Sequence, residues 1–304
     1  MKKLDVIAFA GASNWPIWAG QERGLFVAQD IDLNLELTPT SSHMAQALRS
    51  GAAQIALTSI DNVIAYANGH GEVPLDGPVD FFAFMGVDDG LLSVMAQPEI
   101  ETISGLRGRT LAVDALTTGF AFVLKEILAQ NGISDDQVTY VAIGTGAERL
   151  AALQAAQCSA TLLNAPLCLA AESAGKTRLV RAKDILGSYQ GIVGAARRSW
   201  ASDNGELVAS FIRGFHSSLR WLADPRNRSA ACKILEERLP IIGSAVALAY
   251  DILITDGGLE RTLEVDRAGT ACVIDLRSRY GNQPMANRDP DQYVDDRFRR
   301  EALA

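Results

Sequence analysis

Ala12-Ser13-Asn14, Thr40-Ser41-Ser42-His43 and Thr58-Ser59-Ile60-Asp61-Asn62 fall within one stretch of the chain, Phe9 to Asn62, and share one context. Each follows an apolar strand pattern and opens a helix. Gly24-Leu25-Phe26 and Gly51 punctuate the returns between them. In an open α/β sheet, ligands sit beyond the carboxyl ends of the strands, where helix N-termini offer free N–H groups. The pattern therefore predicts an α/β protein that holds a small polar or anionic molecule.

Working outward, the alternation continues. Strands are expected at Asp5–Ala10, Leu33–Thr38, Gln54–Thr58, Phe81–Val87 and Leu91–Ala96, with helices at Pro16–Arg23, Met44–Arg49 and Asn62–Ala67. The loop Thr102-Ile103-Ser104-Gly105-Leu106-Arg107-Gly108-Arg109 introduces a fresh βαβ unit. Strand Thr110–Val113 leads to Leu116-Thr117-Thr118-Gly119 and a helix that Gly132 terminates. Strand Thr139–Ile143 leads to Gly144-Thr145-Gly146 and a helix from Ala147 to Ala156, and strand Ala160–Leu163 ends at Asn164-Ala165-Pro166. Ile192–Ala196 is again a strand, and four helices follow. In the first of these, Glu206–Leu222, the residues Val208, Phe211, Ile212, Phe215, Leu219 and Leu222 form one apolar stripe that reads as core. Two α/β units in series imply two lobes facing across a cleft.

Composition narrows the function classes. A chain of 304 residues with 48% apolar and 21% charged content suits two ordinary globular lobes. The formal charge of −8 argues against nucleic acid, which needs a basic face, and against docking on anionic lipid. No apolar run approaches the ~20 residues of a membrane span. After Met1-Lys2-Lys3 the chain enters strand at once, with no apolar leader region. A cytoplasmic protein is expected from that start, and a periplasmic one if a leader has been removed. Cys158, Cys168, Cys232 and Cys272 show no metal or redox spacing and read as buried free thiols, while His43, His70 and His216 are scattered. Neither a metal nor another cofactor is expected.

Ser13-Asn14-Trp15-Pro16-Ile17-Trp18-Ala19, Glu22-Arg23-Gly24-Leu25-Phe26, Ile31-Asp32-Leu33 and the run from Ala47 to Ala56 follow in an order with a known parallel. The chain resembles the aliphatic sulfonate, nitrate and taurine solute-binding family, which includes the THI5/NMT1-like proteins. Leu106-Arg107-Gly108-Arg109-Thr110-Leu111-Ala112-Val113 is similar to the family's second-lobe opening, and Tyr293-Val294-Asp295 to its C-terminal signature. The resemblance implies an α/β, two-lobed type II periplasmic-binding-protein fold, with a ligand cleft between lobes and a helical C-terminal part. Lobe 1 would comprise 1–92 and 192–304, lobe 2 would comprise 93–191, and the hinge would lie near Leu91–Ala96 and Ile192–Ala196. One departure is Ala156-Gln157-Cys158-Ser159-Ala160, where the family often carries a Gly-x-Val-Asp-Ala turn.

Within that fold the expected ligand contacts are Asn14, Trp15, Ser41, Ser42, His43, Ser59, Asn62, Thr117, Thr118, Gly119 and Asn164. Trp15 beside an amide could stack a flat ligand, or pack the lobe core. Ser41 or Ser42 could cap a helix and also bind ligand. Asp61 is either a contact or a first-turn acid, Phe120 faces cleft or core, and Gly144-Thr145-Gly146 is an anion nest or a plain turn. Asp88 and Asp89 sit near the hinge.

The expected function is substrate binding for an ABC-type importer, with a small organic anion or heteroaromatic ligand and a permease partner. The alternative is a cytosolic enzyme on the same fold, a decarboxylase, lyase or hydrolase of a small aromatic or carboxylated substrate. His43 would then be the acid/base. Lined up with an aromatic sulfinate desulfinase of this fold, His43 falls near the enzyme's active-site histidine. The position of its nucleophilic cysteine reads Gly11-Ala12-Ser13-Asn14 here, which disfavours that route.

Overall fold

A computed structural model describes all residues except Pro240, Pro284 and Ala286. The first βα units are β1 (Lys2–Phe9), α1 (Trp15–Glu22), β2 (Ile31–Thr38), α2 (Ser41–Ser50), β3 (Ile55–Ser59), α3 (Ile60–Ala67) and β4 (Phe81–Gly86). The chain then crosses to β5 (Leu92–Ala96), β6 (Thr110–Val113), α4 (Gly119–Gln130), β7 (Thr139–Ala142), α5 (Gly146–Gln154), β8 (Ala160–Asn164), α6 (Leu167–Ser173), β9 (Thr177–Arg181) and α7 (Ala182–Leu186). It returns through β10 (Ile192–Arg197) to α8 (Arg198–Asp203), α9 (Gly205–Ala223), α10 (Arg228–Arg238), α11 (Ser244–Tyr250), α12 (Arg267–Tyr280) and α13 (Arg297–Leu303).

Among the described residues, ten strands form two five-stranded sheets, ordered β2-β1-β3-β10-β4 and β7-β6-β8-β5-β9. In each, the βα-connected strands run parallel and a crossing strand is inserted antiparallel: β10 between β3 and β4, β5 between β8 and β9. Sequence character follows position. The inner strands β3 and β5 are buried almost throughout, as strands covered on both faces must be, and so is edge strand β4, which the C-terminal tail covers. Edge strand β2 instead alternates Ile31, Leu33 and Leu35 with exposed Asp32, Asn34 and Glu36.

The apolar stripe of α9 is buried from Val208 to Leu222 and packs on α1 and on Phe26. Two glycines make that approach possible. A Cβ on Gly20 would stand 2.4 Å from the Phe26 ring, and one on Gly214 2.6 Å from it. The C-terminal tail adds to the sheet edge, with Val294 bridging Ala83 and the Tyr293 hydroxyl accepting from Asn68 Nδ2 at 2.8 Å. Two buried apolar clusters each draw residues from both sheets.

Two segments cross between the sheets, Val87–Leu91 outward and Gly187–Gly191 back. They are sewn together at one point. Gly191 N donates to Asp88 O at 3.0 Å, and Gly90 N and Ile192 N donate to Asp88 Oδ1 at 2.8 and 3.0 Å. Gly191 is required there, because a Cβ would meet Gly90 N at 2.0 Å. α12 supplies a further tie. Its N-terminal turn packs on Tyr189-Gln190, and its length lies against both α3 and α4.

Candidate functional site

The carboxyl ends of β1 and β3 face those of β6 and β8. From β3, Ser59 caps α3 by accepting from Asp61 N at 3.3 Å, which turns the Asp61 side chain toward the second sheet. There Asp61 Oδ2 accepts from Gly119 N at 3.0 Å, so the N-terminus of α4 is occupied by a carboxylate of the protein itself. Arg277 of α12 neutralises that carboxylate, with Nε 2.7 Å from Oδ1 and Nη2 2.6 Å from Oδ2, and stacks over Phe122 at 5.3 Å. Both side chains are only 5% exposed. Gly119 needs its lack of a side chain here, since a Cβ would touch the Asp61 carboxylate at 2.6 Å.

The second helix end that could face an anion carries a reciprocal cap. Thr145 caps α5 by accepting from Glu148 N at 3.3 Å, and Glu148 Oε2 accepts in return from Thr145 N at 2.8 Å. This reciprocal pair satisfies the Thr145 and Glu148 N–H groups and makes Gly144-Thr145-Gly146 the start of a capping box.

Within the second lobe, beside the ends of β6 and β8, lies a crevice too narrow to admit a water molecule, lined by Ala112, Val113, Asp114, Phe120, Ala121, Arg149 and Leu162. Thr118 caps α4 and donates to Asp114 Oδ1 at 2.6 Å. Burial pushes the Asp114 carboxyl above its ordinary range, against the opposing pull of Arg149 and the Thr118 hydrogen bond. Burial likewise lowers Arg149 from the usual arginine value, with Asp114 and Glu148 opposing. Arg149 is 5% exposed and donates to two main-chain carbonyls, Gly144 O and Leu162 O.

Two further polar groups face inward without partners. Asn14 donates Nδ2–H to Phe9 O at 2.8 Å, but its Oδ1 is buried and accepts nothing. Tyr189, on the returning crossing segment, has a buried hydroxyl with no hydrogen bond of good geometry, although Ser59 lies close by. Burial, together with the charges of Asp61, Cys272 and Asp114, holds that phenol well above its usual pKa.

The residues expected from sequence are only partly assembled. Asn14, Ser59, Thr118, Gly119 and Asn164 belong to the facing strand ends, and the Gly11 turn lies close to Asn164 Nδ2, 3.8 Å from where a Cβ would stand. Thr117 is exposed. Asn62 turns back to donate to Thr58 Oγ1 at 2.9 Å.

The structure decides the Trp15 alternative for the core, corrects the cap of α2 and the burial of two cysteines, and gives His43 its partners. Trp15 is fully buried, donates Nε1–H to Ala231 O at 3.2 Å and meets Tyr250 edge-on, so its ring packs core and offers no face to a ligand. The cap of α2 is Thr40, which accepts from His43 N at 3.2 Å; Ser41 and Ser42 are the first helical residues instead. Ser41 donates to Glu72 at 2.9 Å and Ser42 to Thr40 Oγ1 at 3.2 Å. His43 is half-exposed, with Nδ1 3.1 Å from Thr38 Oγ1 and Nε2 3.5 Å from Glu36, and no partner from the second sheet. Of the cysteines, Cys158 and Cys168 are buried, but Cys232 and Cys272 are only half-buried.

Asp114, Arg149, Tyr189 and Arg277 carry the charged and unpartnered chemistry here, and the sequence reading passed over all four. The position of Asp114 at the end of β6 was the one available signal. Among the described residues no group of three or more His, Cys, Asp or Glu side chains could hold a metal ion, and no helix is long and apolar enough to cross a membrane.

The whole arrangement has solved counterparts. The alkanesulfonate-binding protein SsuA from Xanthomonas axonopodis pv. citri, bound to MOPS, superposes with a TM-score of 0.75 at 17% identity, over 96% of this chain and 97% of that one. The periplasmic nitrate-binding protein NrtA from Synechocystis PCC 6803 gives 0.78 at 12% identity, over 99% and 88%. The desulfurization enzyme DSZB gives 0.70 at 13% identity, over 100% and 99%. At such identities the likeness carries the two-lobed periplasmic-binding-protein fold and not an activity. No curated protein matches. The sequence profile described as NMT1/THI5 like matches residues 12–227, and the chain belongs to the NMT1/THI5-like family.

Proposed function

We propose that the protein holds a small organic anion or heteroaromatic molecule between its two lobes, as the substrate-binding component of an ABC-type importer. One observation carries the reading. Strand ends of two sheets, connected by two crossings, face one another, with the Gly11 turn of the first beside Asn164 of the second and Asp61 of the first bonded to Gly119 of the second. A solute that bridges two such facing ends favours closure of the lobes upon it.

The family and the fold neighbours support this direction, since two of those neighbours are named as binding an alkanesulfonate and nitrate. The permease partner, and the export from the cytoplasm that it requires, are part of the same proposal. The enzyme alternative has one fold neighbour behind it, the desulfurization enzyme DSZB, but no residue of this chain assembled for it. His43 bonds only within its own lobe, and no nucleophile, base and orienting group converge among the described residues.

A thermal-shift screen of sulfonates, aromatic carboxylates and pyrimidines tests the reading. Each stabilising compound is recovered after overnight incubation and weighed by mass spectrometry. Recovery of an unchanged compound that binds tightly is the expected result; conversion to a product of different mass would replace the carrier with an enzyme. Fractionation of cells producing the protein checks the compartment.

A further inference from the structure

We propose that α12 is a latch on the cleft: it moves with the first lobe, and its last turn grips one face of α4 in the second, so that the lobes part only when this grip lets go. The chain on both sides of α12 is fastened to the first sheet. Ahead of it, Gly86 N of β4 donates to Leu263 O at 2.9 Å; beyond it, Ala83 N of the same strand donates to Tyr293 O at 2.8 Å. Arg277 adds its buried ion pair with Asp61 of α3.

The last turn of α12 also reaches the second lobe. Arg279 and the Tyr280 hydroxyl both donate to Glu126 Oε2, the hydroxyl at 2.8 Å. The Tyr280 ring stacks on Phe122 with centroids 6.3 Å apart. Gly119, Phe122 and Glu126 are spaced by three and four residues and so share one face of α4, which meets Asp61, Tyr280 and Arg279 in turn. Glu126 is buried, and its other donor among the described residues is Gln130 Nε2 at 2.8 Å. Deprived of Arg279 and Tyr280, its carboxylate would be a buried charge with one neutral partner, and it regains water when α4 draws away from α12. Arg279 keeps more than half its side chain in water, so letting go costs it little, as a catch that must open requires.

The latch bears on the solute-binding reading without depending on it, because contact between the lobes can be measured directly. Gly119 N bonds Asp61 across the seam, so protection of its amide from solvent exchange reports that contact. Phe122 N donates to Thr118 O at 3.0 Å inside the second lobe and loses protection only if α4 frays. Hydrogen exchange of the full chain, followed residue by residue by NMR, compares the parent with Arg279→Gln combined with Tyr280→Phe. Gly119 is expected to exchange at least tenfold faster in the variant and Phe122 within twofold, with a larger radius of gyration by X-ray scattering. Arg288→Gln, which breaks an exposed pair with Asp275 and leaves α4 untouched, should change none of these. If the double variant does not fold, Tyr280→Phe alone keeps the ring and loses one donor, and Gly119 should still exchange severalfold faster.

Unchanged Gly119 exchange in a folded variant overturns the latch. So does equal acceleration of Gly119 and Phe122 with no gain in radius, which marks fraying of α4 and not parting of the lobes. Either result leaves standing a solute found by the thermal-shift screen. A latch that releases as expected while no compound binds removes the solute-binding reading alone.

Discussion

Asp61 and Arg277 form a two-toothed ion pair at 2.6 and 2.7 Å in the seam between the lobes, and the same carboxylate caps Gly119 of the opposite lobe at 3.0 Å. One carboxylate thus joins α3, α4 and α12. Taking both charges out of water offsets much of their attraction, so the pair as a whole adds little net stability. Removing one partner is different, because the other is left buried and unpaired. Arg277→Met is expected to cost about 3–5 kcal/mol in urea unfolding. The double variant Asp61→Asn with Arg277→Met should recover part of that loss, since Asn retains an acceptor for Gly119 N. Equal instability of the single and double variants would show that the pair is not coupled.

Trp15 is fully buried, against Tyr250 at 5.8 Å, with its indole N–H spent on Ala231 O. Trp15→Ala should therefore act on stability, by about 3–5 kcal/mol from lost burial and the cavity left behind. Affinity for any ligand of the cleft, measured well below the variant's melting temperature, should change less than about threefold. A selective loss of affinity with stability retained would return Trp15 to the cleft.

These two positions mark what the sequence carried and what it did not. Periodicity gave the elements: the α9 stripe from Val208 to Leu222 is buried as its spacing demands, and Gly132 ends α4 with φ +74°. Edge strand β9 (Thr177–Arg181) escaped because its half-buried, arginine-bearing pattern lacks an apolar run. Trp15 was ambiguous because an aromatic after a strand-end loop serves core or ligand equally, and the choice depends on α10 and α11, more than two hundred residues later. Arg149 escaped for a related reason. Burial of a charge is a tertiary property, and on its own helix it looks like any exposed arginine four residues into a turn. The cap of α2 slipped by one residue within Thr40-Ser41-Ser42, where three successive residues can all cap and only the backbone chooses.

His43 bonds Thr38 and faces Glu36 with about half its side chain in water. Exposed pairs of this kind contribute little. His43→Ala is expected to leave ligand affinity within about twofold and unfolding free energy within ~0.5 kcal/mol of the parent, as surface changes generally do. Loss of binding or of any detected turnover, in a variant that still folds, would restore His43 to the site and with it the enzyme alternative.

Asp88 ties the two crossings, accepting from Gly90 N, Ile192 N and the Ser13 hydroxyl. Burial nonetheless raises its carboxyl above the ordinary range, and neighbouring Asp89 adds to the rise, so the hydrogen bonds lose the contest. The folded state then binds this proton more readily than the unfolded chain does. Its contribution to stability is complete below the unfolded carboxylate value of about 3.9 and is lost as pH rises through the raised folded value. Asp88→Asn removes the titration while its Nδ2–H can still donate to Ser13 Oγ and its Oδ1 can still accept from the crossings. Relative to the parent, the Asn variant should therefore gain unfolding free energy as pH rises above about 4, until the raised folded value has been passed. Parallel pH profiles for the two proteins would show that the Asp88 proton is not linked to folding.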